Sequence, residues 1–244
     1  MAGYKEIADE LRARIERGDY RPGQKIPSES EVMAEFEAGR ETVTKALRLL
    51  KDLGLTVSSQ GKPATVREFK PIRRPANERL SKEVWGAGTS MWAVDVRDAK
   101  PEVAGLHVDR IEAAPRIAEA LGIQRGAPVI LRRRHYVLSG KPVLMAESYI
   151  PADLAEGTAI AREDTGPGGI YARLIDIGHG PVRFKEEVRA RMPLRSEASL
   201  LRLDPGTPVI CVVRSAIDAD GRTVEINEMT LDGGSYILDY VIDA

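Results

Sequence analysis

Residues 19–31 read DYRPGQKIPSESE and residues 40–47 read RETVTKAL, and these two stretches decide the fold of the first third of the chain. Ser28 is followed three residues later by Glu31, which is the spacing of a capping box. In that motif the two side chains satisfy free N–H groups where a helix begins. The sequence therefore predicts a helix from Ser28, a short turn ending at Gly39, and a second helix after it.

The neighbouring residues extend this pair of helices to a winged helix. Residues 4–17 carry an apolar side chain every fourth position, which predicts an amphipathic helix that ends at Gly18. Residues 40–53 have a second stripe at helical spacing. Residues 55–67 form two short apolar runs around a polar tip, a pattern typical of a small hairpin. The apolar stripe of the third helix consists of Val43, Leu47, Leu50 and Leu53.

The outer side of the third helix is polar. If its stripe is buried, Arg40 and Thr44 lie one turn apart near the helix start, where a recognition helix meets base edges. An arginine can pair bidentately with the edge of a guanine. The alternative is the solvated side of an ordinary core helix, which the three helices and the hairpin together make less favourable.

Composition limits the other classes of function. The chain has 244 residues and a net charge of -1, so local charge placement rather than a global cationic field must serve any nucleic acid binding. The single cysteine, Cys211, lies in an apolar run and is expected in the core of a cytoplasmic protein. No apolar run is long enough for a membrane span, no histidines have metal-ligand spacing, and we expect no cofactor.

An aperiodic segment and then an internal repeat follow the winged helix. Residues 70–79 hold prolines and basic residues without periodicity, and are expected to form an interdomain linker. Residues 117–130 and 197–210 then match at an offset of 80, each with a short helix, a Gly-x-Pro turn and a strand. Each strand continues into a hairpin, with turn residues at 139–141 and 218–221. The second half is therefore predicted to be α+β around an antiparallel sheet.

Polar residues recur in both copies of this repeat. Arg134 matches Arg214, and Glu147 matches Glu228 after one inserted residue. Arg132 and Arg134 share one side of a strand because strand side chains alternate, and Glu147 shares a side with Tyr149. Converging arginines and glutamate would bind a small anionic or polar ligand. An exposed salt-bridge network is the alternative.

Two glycine-rich stretches are less informative. Trp85 and Trp92 flank a segment rich in small residues, and either pack in the core or cover a ligand pocket. The stretch Gly166-Pro-Gly-Gly lacks the lysine and serine of a phosphate loop, and is expected at the surface.

The first third of the chain resembles the GntR family of bacterial transcription regulators. The resemblance covers residues 4 to about 67 and implies that Arg40 and its helix neighbours contact DNA, with the wing tip at Gly61 near the minor groove. The turn before Arg40 and the wing sequence depart from the usual family pattern. The residues that carry it are Gly18-Asp-Tyr, Pro22-Gly-Gln, Pro27-Ser-Glu, Phe36, Arg40-Glu-Thr-Val, Ala46-Leu, Leu50 and Gly54-Leu.

Residues 80–242 resemble the UTRA ligand-binding domain of the HutC subfamily, which is similar in fold to chorismate lyase. The resemblance implies an effector site that includes Arg132 or Arg134, Glu147 and Glu225, closed by residues near Thr89 and Ser90. It is carried by Leu121-Gly, Gly126-x-Pro-Val, Gly140-Lys-Pro-Val, Glu147-Ser-Tyr-Ile-Pro, Pro205-Gly-Thr-Pro-Val and Gly221-Arg-Thr-Val-Glu.

The expected protein is a homodimeric cytoplasmic repressor that binds operator DNA and a small effector. Its domains are a winged helix (1–69), a linker (70–79) and an effector-binding and dimerisation domain (80–244). An enzyme of lyase-like fold and a DNA-binding protein without a ligand are the alternatives. The candidate DNA-binding residues are Ser28, Glu29, Arg40, Glu41, Thr42, Thr44, Lys45, Gln60, Gly61 and Lys62. The candidate effector-binding residues are Thr89, Ser90, Arg132, Arg134, Glu147, Tyr149, Glu225 and Glu228.

Overall fold

The computed structural model describes residues 2–57, 63–69, 71–86, 91–96 and 102–242. The chain divides into two compact units, Met1–Lys70 with Leu203–Thr207, and Pro71–Arg202 with Pro208–Ala244. Within the described residues, no helix is long and apolar enough to cross a membrane.

The first unit is the predicted winged helix. Its elements are α1 (Tyr4–Arg17), α2 (Glu29–Glu35), α3 (Arg40–Asp52), β1 (Thr56–Val57) and β2 (Thr65–Val66). The two strands pair antiparallel, as expected for the base of a wing. Leucine, isoleucine and valine side chains from all three helices close a common core, which stabilises the unit by removing apolar surface from water.

Local signals fix the end of α1 and the beginning of α2. Gly18 follows α1 with φ +85°, a left-handed conformation that glycine adopts without the steric cost of a Cβ atom. Ser28 caps α2 as predicted, since its hydroxyl accepts the backbone N–H of Glu31 at 3.3 Å and the Glu31 carboxylate accepts the N–H of Ser28 at 2.7 Å. The capping box is therefore confirmed.

The second unit is built on a six-stranded antiparallel sheet. Its strand order is β4-β5-β6-β9-β8-β7. The two halves of this order correspond to the two copies of the repeat, because the hairpins β5-β6 and β8-β9 meet at the pairing of β6 with β9. The strands are β4 (Glu102–Glu112), β5 (Pro128–Leu138), β6 (Lys141–Pro151), β7 (Arg183–Arg191), β8 (Val209–Ile217) and β9 (Thr223–Asp232).

Helices cover both sides of this sheet. One side packs on α7, whose buried Ile117, Ala118 and Leu121 contact Leu131 and Ile226. The other side, called here the cavity side, packs on α8 and α9, whose Leu154 and Leu174 cluster with Ile150, and leaves a space over the strand centres. The helices of this unit are α4 (Ala76–Arg79), α5 (Lys82–Gly86), α6 (Met91–Asp95), α7 (Pro115–Leu121), α8 (Ala152–Ala155), α9 (Gly169–Asp176) and α10 (Arg195–Leu200), with a 3-10 turn at Ala159–Ala161.

The segment expected to be a linker is ordered. Residues 72–75 form β3 (Ile72–Pro75), which pairs parallel with β10 (Tyr236–Asp239). The side chain of Arg74 in this strand is buried and makes two hydrogen bonds to Glu186, at 3.1 and 2.7 Å. The expectation of a connector at 70–79 fails from Ile72 onward, because a buried ion pair and a second strand fix the segment to the C-terminal unit.

Candidate functional site

Helix α3 presents the predicted polar side. Val43, Ala46 and Leu50 are fully buried, whereas Thr44, Lys45 and Arg48 are exposed on the outer side of the helix. The side chain of Arg40, in the first turn of the helix, is 80% exposed. Because the free N–H groups at a helix start carry partial positive charge, this end also favours a phosphate.

Glu29 on α2 lies beside the two candidate base-reading residues. Its carboxylate is 3.4 Å from Nε of Arg40 and accepts a hydrogen bond from the hydroxyl of Thr44. Thr44 also lies within hydrogen-bond distance of the Arg40 carbonyl oxygen, at 2.9 Å. Glu29 therefore holds Arg40 and Thr44 together on one exposed patch.

The other candidate DNA-binding residues divide into three groups. Lys45 and Glu41 are exposed and form an ion pair of 2.7 Å on the same outer side of α3, while Thr42 is half-buried. The hydroxyl of Ser28 is engaged in the cap of α2. Gln60, Gly61 and Lys62 lie outside the described residues.

A cavity of about 370 Å³ lies on the cavity side of the large sheet. This volume is in the range of small-molecule sites. Its walls combine apolar and aromatic side chains with four arginines and two glutamates. The lining includes Arg79, Trp92, Arg132, Arg134, Tyr136, Glu163, Gly168, Gly169, Ile170, Tyr171, Arg214, Glu225 and Asn227.

Arg132 lines this cavity but its guanidinium is already engaged. It donates to the carbonyl oxygens of Ile160 and Glu163, both at 2.8 Å, and to that of Arg162. Burial and the neighbouring charge of Arg134 lower its pKa to about 10, so it stays protonated at neutral pH. Arg132 therefore holds the loop that borders the cavity, which is a structural task beyond the predicted role.

Arg134 is oriented by its neighbours in the cavity. Its Nε donates to the hydroxyl of Tyr136 at 2.9 Å, and its Nη1 donates to Ser148 at 3.1 Å. The guanidinium carbon also lies 5.7 Å from the centre of the Tyr136 ring. These two contacts use two of the five N–H groups of Arg134, and the residue lines the cavity, so its contact with a ligand stays a prediction.

Glu225 is the one predicted carboxylate on the cavity side. It is buried, and the hydroxyl of Tyr171 donates to it at 2.5 Å. Burial raises the pKa of Tyr171 well above its usual range, so this hydroxyl remains a donor. Sequence reasoning missed Tyr171, Asn227 and Arg214, although the match of Arg214 to Arg134 in the repeat was a signal for it.

Glu147, Tyr149 and Glu228 lie on the opposite side of the sheet, so the predicted convergence with Arg132 and Arg134 is wrong. The hairpin register pairs Arg133, not Arg134, with Glu147. Side chains of directly paired residues share a side. The Glu147 carboxylate accepts hydrogen bonds from Arg133 at 3.2 Å and from the Tyr149 hydroxyl at 2.8 Å.

Two neighbouring segments complete the cavity. Trp92 is buried, lines the cavity and donates from its indole N–H to Tyr236 at 3.2 Å, so it serves both the core and the pocket. The 166–169 stretch borders the cavity rather than lying only at the surface, because α9 begins there. Thr89 and Ser90 lie outside the described residues, as does the side chain of Trp85.

Buried Cys211 fits its predicted place in the core. Among the residues that the structure describes, no group of three or more histidine, cysteine or acidic side chains could hold a metal ion.

Family models match both units. The model of the bacterial regulatory proteins of the gntR family matches residues 3–66, and the UTRA domain model matches residues 97–236. An uncharacterised HTH-type transcriptional regulator of Streptomyces coelicolor is 32% identical over 230 residues, which cover 91% of this chain and 86% of the relative. The HTH-type transcriptional repressor NagR of Bacillus subtilis is 23% identical, with 98% of this chain and 94% of the relative covered.

Solved structures show the same architecture. The crystal structure of PhnF from Mycobacterium smegmatis is 25% identical and superposes with a TM-score of 0.60, covering 96% of this chain and 99% of that one. The family and the relatives are transcriptional regulators and not enzymes, so the lyase alternative has no support. This chain belongs to the GntR family of transcriptional regulators, with a helix-turn-helix domain that binds DNA and a UTRA domain that binds an effector.

Proposed function

We propose that this regulator is a cytoplasmic, homodimeric repressor of the HutC type. Its winged helix, residues 1–69, binds operator DNA, and the remainder of the chain binds the effector and forms the dimer. The effector changes operator affinity when it occupies the cavity beside Arg134 and Glu225. NagR, which is similar to this chain over nearly its whole length, is named a repressor, and this supports repression over activation.

The observation that carries the DNA-binding assignment is the exposure of Arg40. Its side chain is 80% exposed at the start of a helix whose opposite side is fully buried. Solvent exposure of this kind leaves the guanidinium available to a guanine edge, with Thr44 one turn further on. Lys45 and the wing residues 60–62 are proposed to contact the adjacent DNA, with Glu41 beside them as the ion-pair partner of Lys45.

Charge argues for a dimer on DNA. Residues 1–70 contain 13 lysines and arginines and 12 aspartates and glutamates, so one winged helix is nearly neutral. Phosphate contacts supply most of the affinity of such proteins. Two copies double these contacts and match half-sites about 34 Å apart.

The cavity supports a ligand-responsive regulator over a DNA-binding protein without a ligand. A space of about 370 Å³ lined by arginines would be filled by side chains in a domain that had lost its ligand. Allosteric couplings between two sites are typically about 1–3 kcal/mol. An effector in this cavity would therefore change operator affinity roughly 5–150-fold.

The test is a titration of the purified protein against labelled DNA that flanks its own gene, followed by fluorescence anisotropy at two salt concentrations. We expect saturable, sequence-selective binding that weakens steeply as salt rises, since bound phosphates release counterions. Equal affinity for the flanking DNA and for scrambled DNA of the same composition would contradict the proposal.

A further inference from the structure

Arg214 is a buried cation, and two of its three guanidinium nitrogens lack a hydrogen-bond acceptor among the described residues. The residue is 2% exposed, and it lies at the centre of β8 on the cavity side. Its Nε and Nη1 are both buried without any acceptor among the described residues. The rings of Tyr171 and Phe184 lie near the guanidinium carbon, which is 5.6 and 5.7 Å from their centres. The charges of Glu225 and Glu186 act on Arg214 without a hydrogen bond to its Nε or Nη1.

The other buried arginines of this unit are paired. Arg74 makes two hydrogen bonds to Glu186, Arg79 donates to Asp95 at 3.0 Å, and Arg132 donates to loop carbonyls. A buried charge is costly unless it is paired and hydrogen-bonded. Arg214 departs from this pattern within the same unit, which indicates that an acceptor from outside the chain completes it.

The surroundings of Arg214 favour an anion. Four arginines and two glutamates line the cavity, so its walls carry an excess of positive charge. Helix α9 begins at Gly169 on the cavity wall, and the partial positive charge of a helix start acts in the same direction. Arg134, the counterpart of Arg214 in the repeat, lines the same cavity.

The cavity also contains an unused acceptor. Asn227 is 1% exposed, and its Oδ1 has no hydrogen-bond donor among the described residues. It lies two positions from Glu225 on β9, so both side chains are on the cavity side. A hydroxyl or N–H group on a ligand would satisfy this oxygen.

We infer that Arg214 anchors the anionic group of the effector, and that the effector is a small organic anion with hydroxyl or N–H donors for Asn227 and Glu225. This inference rests on the proposed function of the cavity as the effector site. A carboxylate and a phosphate monoester share the required chemistry, since both offer anionic oxygens to a guanidinium fork. Arg132, whose donors are engaged by the loop, holds the cavity wall.

The experiment measures thermal unfolding of the full-length protein with three probes, D-gluconate, D-glucose 6-phosphate and D-glucose, at matched ionic strength. We expect at least one anion to raise the Tm of the wild-type protein by about 5 °C near saturation, and neutral glucose to leave it unchanged. The response to gluconate against glucose 6-phosphate distinguishes a carboxylate from a phosphate monoester. No shift with either anion would overturn the inference.

Variants locate the site. Arg214→Met should abolish the anion-dependent shift, while Arg110→Met, which removes an exposed ion pair with Glu156, should keep it. Arg214→Lys retains the charge without the fork and should keep only part of the shift, which serves as the readout if Arg214→Met does not fold. A full shift in either Arg214 variant would overturn the assignment.

Operator titrations distinguish a failure of this inference from a failure of the proposed function. Operator titration of the wild type and of Arg110→Met without added anion should give equal affinities, because Arg110 is an exposed residue of the C-terminal unit that does not line the cavity. If the wild type binds operator but its anion response is independent of Arg214, only the present inference fails. If neither protein binds operator, the proposed function fails while the thermal shifts still report on the cavity.

Discussion

Glu147 on β6 and Glu228 on β9 are directly paired across the middle of the large sheet. They are also equivalent positions of the internal repeat, so the two halves of the sheet meet at this pair. Each carboxylate has its own arginine, Arg133 for Glu147 and Arg116 for Glu228. Two like charges are thus accommodated at the junction of the repeat by two separate ion pairs.

We expect Arg116→Ala to destabilise the protein because it leaves Glu228 facing Glu147 without its counter-ion. Like charges directly opposite each other cost roughly 0.2–1 kcal/mol. Adding Glu228→Gln to that variant should restore most of the loss, since it removes the repulsion. Urea unfolding of the two single variants and the double variant measures the coupling. Additive effects would show that the two carboxylates do not interact.

Arg40→Ala is expected to weaken operator binding by about 1–3 kcal/mol, the usual cost of losing a bidentate contact to guanine. Anisotropy titrations against operator and scrambled DNA give the loss of specific binding. Arg12→Ala is the matched control, because Arg12 is an exposed arginine of α1 that pairs with Asp9. Equal affinities of the Arg40 variant and the wild type would refute the assigned role.

Ser28→Ala should destabilise the winged helix by about 0.5–2 kcal/mol, because the hydroxyl that accepts the N–H of Glu31 is lost from the start of α2. Thermal unfolding followed by the far-ultraviolet circular dichroism of the helices measures this loss. Ser30→Ala, two residues on in the same helix, is the control and should cost less. If the two variants were equally stable, the cap would contribute nothing measurable.

Arg132→Met is expected to destabilise the C-terminal unit by about 2–4 kcal/mol, since hydrogen bonds to a charged donor are lost and loop carbonyls are left unsatisfied. Arg133→Met next to it should cost less than about 1 kcal/mol, because that side chain is partly exposed and forms surface ion pairs. Denaturant unfolding compares the two variants. Similar losses would remove the distinction between the buried and the exposed arginine.

Glu197 gives a prediction for pH. Hydrogen bonds from Arg191, at 2.6 Å to each carboxylate oxygen, lower its pKa below the usual range. A carboxyl whose pKa is lower in the folded than in the unfolded chain stabilises the fold above the unfolded pKa of about 4.3. That contribution disappears as pH falls through the lower, folded pKa.

Glu197→Gln should therefore cost about 1–3 kcal/mol at pH 7, and the difference from wild type should shrink as pH falls below about 4. Urea unfolding at both pH values is the measurement. Glu187→Gln breaks an exposed pair with Lys185 and should cost less than about 1 kcal/mol throughout. A cost for Glu197→Gln that is independent of pH would contradict the role of its charge.

The sequence predicted the helices and turns that are specified by residues close together in the chain. The capping box at Ser28 placed α2, the apolar spacing placed α1 and α3, and the turn residues at Ser139-Gly140 placed the first hairpin. Ser139 and Gly140 indeed have positive φ, 49° and 75°. Such features depend on a few neighbouring residues, so one sequence suffices to find them.

The features that were missed depend on long-range pairing. Strand β7 reads RFKEEVRAR and lies at a sheet edge, where charged residues are tolerated on both sides and hide the usual alternation. Glu147 lies on the same side of the sheet as Arg133 because the two residues are paired across the hairpin. The alternation of apolar and polar residues in the sequence did not determine this register. The cavity role of Arg214 became visible only when its acceptors could be searched in three dimensions.

The parallel pairing of β3 with β10 has a consequence for the biogenesis of the protein. The winged helix closes its core with residues that end at Val66, so a growing chain could fold it while most of the C-terminal half is still being synthesised. The strand that follows it has no partner until residues 236–239 emerge at the far end of the chain. A nascent regulator would thus pass through a stage in which its DNA-reading part is formed and its ligand-sensing part is not.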